Sequence, residues 1–376
     1  MAVDPCISFL RELVSIDSVN PSLVPSAAGE GQVAAAIADR MRRCGMDVEL
    51  QEVEPGRPNV IGMLSGREPG PTLMYCGHMD TVGVDGMAAP FSPEERNGRL
   101  YGRGAQDMKA GVAAMTDAAR VAAERGFSRG QLIVAAVIDE EYASIGADAL
   151  VSRWKADRAV VTEPTDMRIG VAHKGFAWLE VETRGRAAHG SRPRDGRDAI
   201  MRMGRVLGRL EALDRDLQSR PPHPIMATGS LHASIINGGR EWSSYPDRCH
   251  LQMERRTIPG EAPRVAAQEL DDLLTRLRAE DPDFKAVSKE MFARSPYEIA
   301  ANHELPQSML RAAGSSASAI GMSFWTDAAI LGDAGIPSIL YGPTGAGLHS
   351  VEEWVEAKSV TTCRDALVSL ARDWCR

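Results

Sequence analysis

A continuous apolar run at residues 132–138 constrains the fold of this chain more than any other feature. Such a run is typical of a strand covered on both faces, as in parallel sheets flanked by helices. Residues 72–76 and 158–162 predict two more strands of this kind. Apolar residues at helical spacing indicate helices around these strands, at 4–17, 31–45, 107–124 and 146–155. Strands that alternate with helices favour an α/β fold with a mostly parallel sheet.

After Lys174 the pattern predicts a second, smaller unit. Strand-like and helix-like segments follow in the order β-α-β-β-α-β, at residues 176–186, 198–213, 228–237, 247–257, 263–280 and 284–292. This order suits an antiparallel α+β unit inserted into a larger domain. The proline-rich segment 214–226 predicts a surface loop. We expect one domain from residues 1–173 and 293–376, with a buried strand at 338–341, and an inserted domain at 174–292, since 376 residues favour two domains.

Composition excludes several classes of function. The 43 basic and 51 acidic residues give a net charge of −8, which argues against a nucleic-acid or anionic-membrane surface. No apolar run approaches the roughly 18 residues of a membrane span, and the N-terminal residues do not resemble a signal peptide. Six scattered cysteines without a Cys-x-x-Cys motif predict free thiols in a reducing compartment. The expected location is the cytoplasm.

Polar residues that suit a metal site follow the strand predicted at residues 72–76. His78 and Asp80 stand two apart, so in strand geometry their side chains project to the same side. They would lie at the carboxyl end of a buried strand, where open α/β sheets place their chemistry. A histidine beside a carboxylate suits a metal ligand and the group that orients it.

Acidic residues recur at comparable positions, and each also has an ordinary structural explanation. Asp107 lies in the glycine-rich segment 102–111 and could be the N-cap of the helix that follows. Asp139, Glu140 and Glu141 follow the central run, either as a solvated turn or as a metal ligand beside a general base. Glu163 ends the next strand and precedes a proline.

Two further histidines lie in glycine-containing loops. His189 read alone is an ordinary loop histidine, while His349 precedes Ser350 and Glu353, which match a helix capping box. His78 and His349 with three of the carboxylates make a mixed nitrogen and oxygen ligand set that suits zinc, manganese or cobalt.

Taken in order, these motifs resemble the M20 family of metallopeptidases and deacylases, over nearly the whole chain. The resemblance implies a two-metal hydrolase domain with an inserted lid and dimerisation domain. It implies two divalent ions, zinc foremost, with cobalt or manganese as alternatives. In this family pattern His78 and Glu163 each serve one metal, Asp107 bridges, and Glu141 and His349 complete the pair.

The resemblance also implies the remaining roles. Asp80 would orient His78, Glu140 would be the general base, and the peptide bond after Asp107 would be cis. His189 would stabilise the oxyanion, often across a dimer interface. The substrate-binding positions would be Arg256, for the substrate carboxylate, with Gly345 and Gly347 lining its pocket and Ser243 where the family usually places asparagine. This departure puts a standard amino-acid substrate in doubt.

We therefore expect a cytoplasmic, homodimeric hydrolase that removes the acyl group from a small N-acyl amino acid. The alternatives are a dipeptidase, a carboxypeptidase or a hydrolase of an unusual amide. A binding protein without catalysis would need a lost ligand or base, and every matching position is filled.

Overall fold

A computed structural model describes residues 4–262, 264–314 and 318–375. Within these ranges the helices are α1 (Pro5–Val14), α2 (Gly31–Arg43), α3 (Lys109–Arg125), α4 (Ile145–Arg153), α5 (Ala199–Ser219), α6 (Val265–Glu280), α7 (Glu304–Ala313), α8 (Ala328–Asp333) and α9 (Ala357–Trp374). None of these described helices is both long enough and apolar enough to cross a bilayer.

The first strands in chain order are β1 (Asp47–Glu54), β2 (Arg57–Ser65), β3 (Glu68–His78), β4 (Glu94–Arg96), β5 (Arg99–Tyr101), β6 (Arg129–Val137), β7 (Arg158–Val161) and β8 (Ile169–His173). They are followed by β9 (Gly175–Arg184), β10 (Ser230–Gly238), β11 (Arg248–Thr257), β12 (Lys285–Arg294), β13 (Tyr297–Glu298), β14 (Ala319–Met322), β15 (Ser338–Leu340), β16 (Gly345–Ala346) and β17 (Trp354–Glu356).

The chain divides into two structural units. Unit 1 comprises the chain up to Val171, Ile299–Ile320 and the chain from Thr326 onward. Unit 2 comprises Ala172–Glu298 and Gly321–Trp325. Ala172 and Glu298 lie within a few residues of the expected boundaries at 174 and 292, whereas Gly321–Trp325 was expected in the larger domain and groups with unit 2.

Unit 1 is built on a sheet whose central strands are parallel. The strand order is β1-β2-β6-β3-β7-β15-β8, and the neighbours from β6 to β15 pair in parallel. The predicted α/β class with a mostly parallel central sheet is confirmed. The apolar runs form its buried middle, and α3 packs against α1 and α9 beside it. A small second sheet, in the order β16-β17-β5-β4, carries the loops that precede Asp107 and His349.

Unit 2 is an antiparallel sheet with helices on one face. The strand order is β10-β11-β9-β12, and α5 and α6 supply the helical part of the expected β-α-β-β-α-β order. Alternate residues of the inner strands, such as Leu179, Val181, Leu251 and Met253, pack with Leu210 and other apolar residues of the helices in one buried core. The half-exposed alternation of residues 176–186 follows from this one-sided cover.

Three local expectations are wrong. Helix α3 begins at Lys109, after an N-cap Met108 that makes no side-chain cap, so Asp107 is not its cap. Helix α5 continues to Ser219, where intrahelical pairs such as Arg215–Glu211 support it, and the predicted loop at 214–226 is correspondingly shorter. Ser350 and Glu353 start no helix, because β17 follows them and α9 begins only at Ala357. Residue 263, the expected start of α6, lies outside the described residues.

Candidate metal centre

The candidate centre lies at the carboxyl ends of three adjacent strands of unit 1. His78 is the last residue of β3, Glu140 and Glu141 follow β6, and Glu163 follows β7. Strand β3 pairs in parallel with both of its neighbours, so the three strand ends meet at one edge of the sheet. This edge is where side chains of an open α/β sheet can converge on a ligand.

The imidazole of His78 is at the middle of the group. Its Nε2 lies 3.1 Å from Asp107 Oδ1, and 3.9 Å from both Glu140 Oε2 and Glu163 Oε1. Ligand atoms of His78, Asp107 and Glu141 lie within 4.8 Å of one another. The same holds for His78, Glu140 and Glu163. Among the described residues these two triads are the groups that could hold a metal ion.

His349 approaches from a separate loop and completes the set. Its Nε2 lies 3.0 Å from Glu141 Oε2 and 3.4 Å from Asp107 Oδ2. Its side chain is 57 % exposed, whereas that of His78 is 1 % exposed. The structure thus brings together the five residues that the resemblance implies as metal ligands and the acid that it implies as the base. The peptide bond between Asp107 and Met108 is cis, as the resemblance implies.

Asp80 contacts both His78 and the turn that carries the two glutamates. The Nδ1–H of His78 donates to the backbone carbonyl of Asp80 over 3.0 Å, and the Asp80 carboxylate lies 3.5 Å away. This hydrogen bond leaves Nε2 of His78 as the ring atom that faces the acids. The carboxylate of Asp80 accepts the backbone N–H groups of Glu140 and Glu141, each over 3.1 Å.

Sequence reasoning missed a buried network behind Asp80. Nδ2 of Asn20 donates to Asp80 over 2.8 Å and to Asp139 over 3.0 Å. Arg57 donates twice to Glu30, each time over 2.7 Å, and reaches Asp139 over 3.2 Å. These residues come from separate segments and form no short motif, so spacing gives no signal for them.

Burial controls the acid strength of the glutamates. It raises the pKa of Glu140 well above the usual range, against the opposing effect of the neighbouring His78. Burial likewise raises the pKa of Glu163, and that of Glu141 to about 7. Asp327, which sequence reasoning did not single out, adds to the shifts of Glu140 and Glu163 by charge repulsion.

The two imidazoles have the opposite effect on Asp107. Burial raises the pKa of Asp107, but hydrogen bonds with His349 and His78 outweigh it and hold the pKa below the usual range. The hydrogen bonds from Asp107 and Glu141 raise the pKa of His349 to about 10. Among the described residues, four carboxylates of this group face two imidazoles, so the group carries a net negative charge whenever all four acids are ionised, even with both rings protonated.

The donor set fits divalent cations. Oε1 of Glu141 is buried and has no hydrogen-bond partner among the described residues, which is costly unless a further group completes the site. Carboxylate oxygens with imidazole nitrogens are a ligand set for zinc and related metals. The second contact of His78, to the carbonyl of Asp80, is the kind that orients a metal-binding imidazole.

Three of the predicted site residues belong to unit 2. His189 and Ser243 lie on loops, and Arg256 lies near the end of a strand. His189 is exposed, and its Nδ1 lies 2.8 Å from Ser191 Oγ. The backbone carbonyl of Ser243 accepts the N–H of Gly190 over 2.6 Å, so Ser243 supports the His189 loop. Arg256, on β11, donates through Nε to Glu254 over 2.7 Å.

Gly345 and Gly347 have structural reasons to be glycine. A Cβ at Gly345 would lie 2.4 Å from the backbone oxygen of Trp354. Gly347 has φ +95°, and a Cβ there would lie 1.9 Å from the backbone oxygen of Glu352. Their role in binding substrate remains a prediction.

The fold and this site together define a class, a hydrolase with a metal centre at the end of a parallel sheet. The model of the peptidase family M20/M25/M40 matches residues 74–373. The chain belongs to this family and is a metal-dependent hydrolase that acts on amide bonds.

Individual relatives are similar over almost their whole length. The chain is 29 % identical to an acetylornithine deacetylase of Myxococcus xanthus, over 97 % of this chain and 96 % of the relative. It is 28 % identical to the N-formyl-4-amino-5-aminomethyl-2-methylpyrimidine deformylase of Bacillus subtilis, over 98 % of this chain and 94 % of the relative.

Solved structures share the fold. The aminopeptidase PepT of Bacillus cereus matches with a TM-score of 0.81 at 20 % identity, covering 99 % of this chain and 98 % of that one. The YXEP protein of Bacillus subtilis, described as a dinuclear metal-binding peptidase, matches with a TM-score of 0.72 at 16 % identity, covering 98 % of this chain and 97 % of that one.

Proposed function

We propose that this hydrolase removes the acyl group from an N-acyl amino acid, with Glu140 as the general base. The observation that carries the proposal is the position of Glu140, a half-buried carboxylate whose Oε2 lies 3.9 Å from the Nε2 of His78 within the ligand group. The two curated relatives described above are named for removing an acetyl and a formyl group, which supports deacylation over peptide cleavage.

Two divalent ions would be held by the five predicted ligands: His78, Asp107, Glu141, Glu163 and His349. When bound, such ions polarise a carbonyl and lower the pKa of water towards ~7. We propose zinc as the native metal, with cobalt and manganese as alternatives, because the ligand set combines imidazole and carboxylate. The dinuclear description of YXEP supports two ions rather than one.

Glu140 would take the proton of the attacking water at its carboxylate and return it to the leaving amine. A general base works best when its pKa lies near the operating pH, and burial shifts that of Glu140 upward from the usual carboxyl range. The backbone N–H of Glu140 donates to Asp80, which fixes the turn on which this carboxylate is carried. His189 would donate to the oxyanion of the tetrahedral intermediate.

Arg256 is our proposed partner for the substrate carboxylate. A guanidinium presents several donors in one plane and suits a bidentate carboxylate. Glu254 accepts from its Nε, and the ring of Phe176 lies 5.4 Å from the guanidinium carbon, so both groups orient the side chain. Gly345 and Gly347 remain proposed substrate-binding positions.

A second candidate follows from Ser243. If serine replaces the usual amide contact, the preferred substrate is an amide without a standard amino-acid leaving group, or a short peptide. The pyrimidine deformylase relative is an instance of the first case by name.

We propose a homodimer that forms through unit 2. Strand β10 is an edge strand, and Ile235 and Ile236 on it are 54 % and 50 % exposed. An exposed apolar edge strand favours pairing with another strand. Light scattering should give twice the chain mass, and Ile236→Lys should shift the protein towards the monomer; a wild-type monomer at micromolar concentration would refute this part.

The proposed location is the cytoplasm. All six cysteines fall within the described residues, and each is a free thiol. Free thiols are typical of a reducing compartment.

A hydrolysis screen tests the proposed function. N-acetyl, N-succinyl and N-formyl amino acids, the corresponding N-acyl amines without a carboxylate, and dipeptides would each be incubated with protein loaded with zinc, manganese or cobalt. We expect the highest kcat/KM for an N-acyl amino acid. A preference for N-acyl amines favours the second candidate, and a preference for dipeptides overturns deacylation as the main activity.

A further inference from the structure

The carboxylate of Glu353 is buried and belongs neither to the ligand set nor to a helix cap. The residue is 1 % exposed and lies in an irregular segment just before β17. A buried carboxylate is unfavourable unless hydrogen-bond donors or a positive charge surround it. Its partners therefore indicate its role.

All of these partners come from the loop that carries Asp107. Oε1 of Glu353 accepts the backbone N–H groups of Gln106, over 2.8 Å, and of Asp107, over 3.0 Å. Oε2 accepts the backbone N–H of Gly104 over 2.9 Å and Nη1 of Arg103 over 2.6 Å. One carboxylate thus receives four donors, including the N–H of the proposed bridging ligand itself.

Arg103 extends these contacts to the loop of His349. Its Nη2 donates to the carbonyl of Ser350, the residue directly after His349, over 3.0 Å. The same Nη2 donates to the carbonyl of Gly83 over 3.0 Å. The guanidinium is itself buried, since the residue is 3 % exposed. The Arg103–Glu353 ion pair therefore joins three segments of the chain. One carries Asp107, the second directly follows His349, and the third follows Asp80.

The loop before α3 depends on these bonds because it has no regular structure of its own. Residues 102–108 form turns, so no strand ladder pairs their backbone N–H groups. The carboxylate satisfies three of these groups at once. Moving it would move the backbone of Asp107 relative to His349.

We propose that Glu353 is a positioning residue for the metal centre, which holds Asp107 and His349 in register through its bonds to backbone N–H groups and to Arg103. The proposal rests on the proposed metal centre but not on any particular substrate. Groups that orient metal ligands change metal affinity by about 10–100-fold when they are replaced.

The test is cobalt binding by the full-length protein stripped of metal. Glu353→Gln keeps the size of the side chain but replaces one acceptor oxygen by an NH2 donor that faces other donors. We expect Co²⁺ to bind about 10–100-fold more weakly, as expected for the loss of an orienting group, with a changed visible absorption spectrum. Calorimetry measures the affinity, and circular dichroism of the metal-free protein reports whether the fold is intact.

Glu352→Gln is the matched control, because this exposed neighbour undergoes the same change of charge. It should alter Co²⁺ affinity by about twofold at most, as is usual for a surface substitution. If Glu353→Gln does not fold, Arg103→Lys replaces it, since lysine keeps the charge but cannot reach Glu353 and both carbonyls in one plane.

A folded Glu353→Gln protein with wild-type Co²⁺ affinity and spectrum would overturn the proposal, and so would a wild-type protein that binds no Co²⁺. If affinity depends on Glu353 while no N-acyl amino acid is hydrolysed, the positioning role stands and the proposed substrate is wrong.

Discussion

Two groups of charged side chains, one in each structural unit, differ in whether the protein supplies both signs of charge. In unit 2, Arg255 is fully buried and its guanidinium lies 2.6 Å from Glu261 and 3.0 Å from Glu269. Arg220 lies 3.4 Å from Glu269, so two arginines face two glutamates. In the described part of unit 1, four carboxylates face the imidazoles of His78 and His349.

The difference separates a structural ion-pair cluster from a site that needs another component. Buried charges are tolerated when a partner of opposite sign lies within reach. The unit 2 cluster meets this condition by itself. The unit 1 group would meet it with added cations. Without them, burial raises the pKa of Glu140 and Glu163 and so favours their neutral, protonated forms.

The largest expected effect concerns the chemistry of the unit 1 group. Glu140→Gln should lower kcat by about 10²–10⁴-fold, the usual contribution of a general base, while the protein retains its metal. Glu141→Gln is the contrasting variant, because removal of a proposed ligand should lower metal content as well. Near-wild-type turnover by metal-loaded Glu140→Gln would refute the role of Glu140.

In unit 2 the corresponding change should affect stability alone. Arg255→Met leaves Glu261 and Glu269 without their buried partner and should lower the free energy of unfolding by about 3–5 kcal/mol. Metal content should not change. Arg209→Met, at an exposed pair with Glu280, is the control. It should lower the free energy of unfolding by about 1 kcal/mol at most. Equal losses in urea unfolding would show that burial does not distinguish the two pairs.

Metal should stabilise the fold through unit 1. At a free concentration of 100 times its Kd, a metal that binds only the folded state adds about 2.7 kcal/mol. We expect Zn²⁺ or Mn²⁺ to raise the Tm of the wild type and of Arg255→Met, but not that of Asp107→Asn. An equal rise in Asp107→Asn would place the stabilising ion elsewhere.

His173 provides a smaller test, because burial keeps its imidazole neutral. Burial lowers its pKa from 6.5 to about 4, and its Nδ1 lies 3.0 Å from the carbonyl of Lys174. The unfolded chain takes up a proton below pH ~6.5 while the folded chain does not, so stability falls as the pH drops towards ~4. Between pH 7 and pH 5, the free energy of unfolding should fall by about 2 kcal/mol less in His173→Gln than in the wild type. Identical pH dependence in urea unfolding would contradict this.

The strand-borne part of the site was predictable from local patterns. Apolar runs located β3, β6 and β7, and parallel neighbours place His78, Glu141 and Glu163 at one edge of the sheet. Asp107 and His349 lie on irregular loops, so only the resemblance to a family indicated their roles.

The supporting residues were not predictable because their partners are remote in sequence. Ser350 and Glu353 match a capping box locally, yet the carboxylate binds the N–H of Gln106, 247 residues away. Asn20 binds Asp80 across 60 residues. Short-range spacing carries no information about such contacts, which the tertiary fold alone creates.

The metal content of the protein tests the central claim most directly. After reconstitution with Zn²⁺ or Mn²⁺ and removal of excess ion, elemental analysis should find two ions per wild-type chain and a strongly reduced content in Asp107→Asn. Arg255→Met should match the wild type. A wild-type chain that retains no metal would contradict the view that cations complete the buried carboxylates of unit 1.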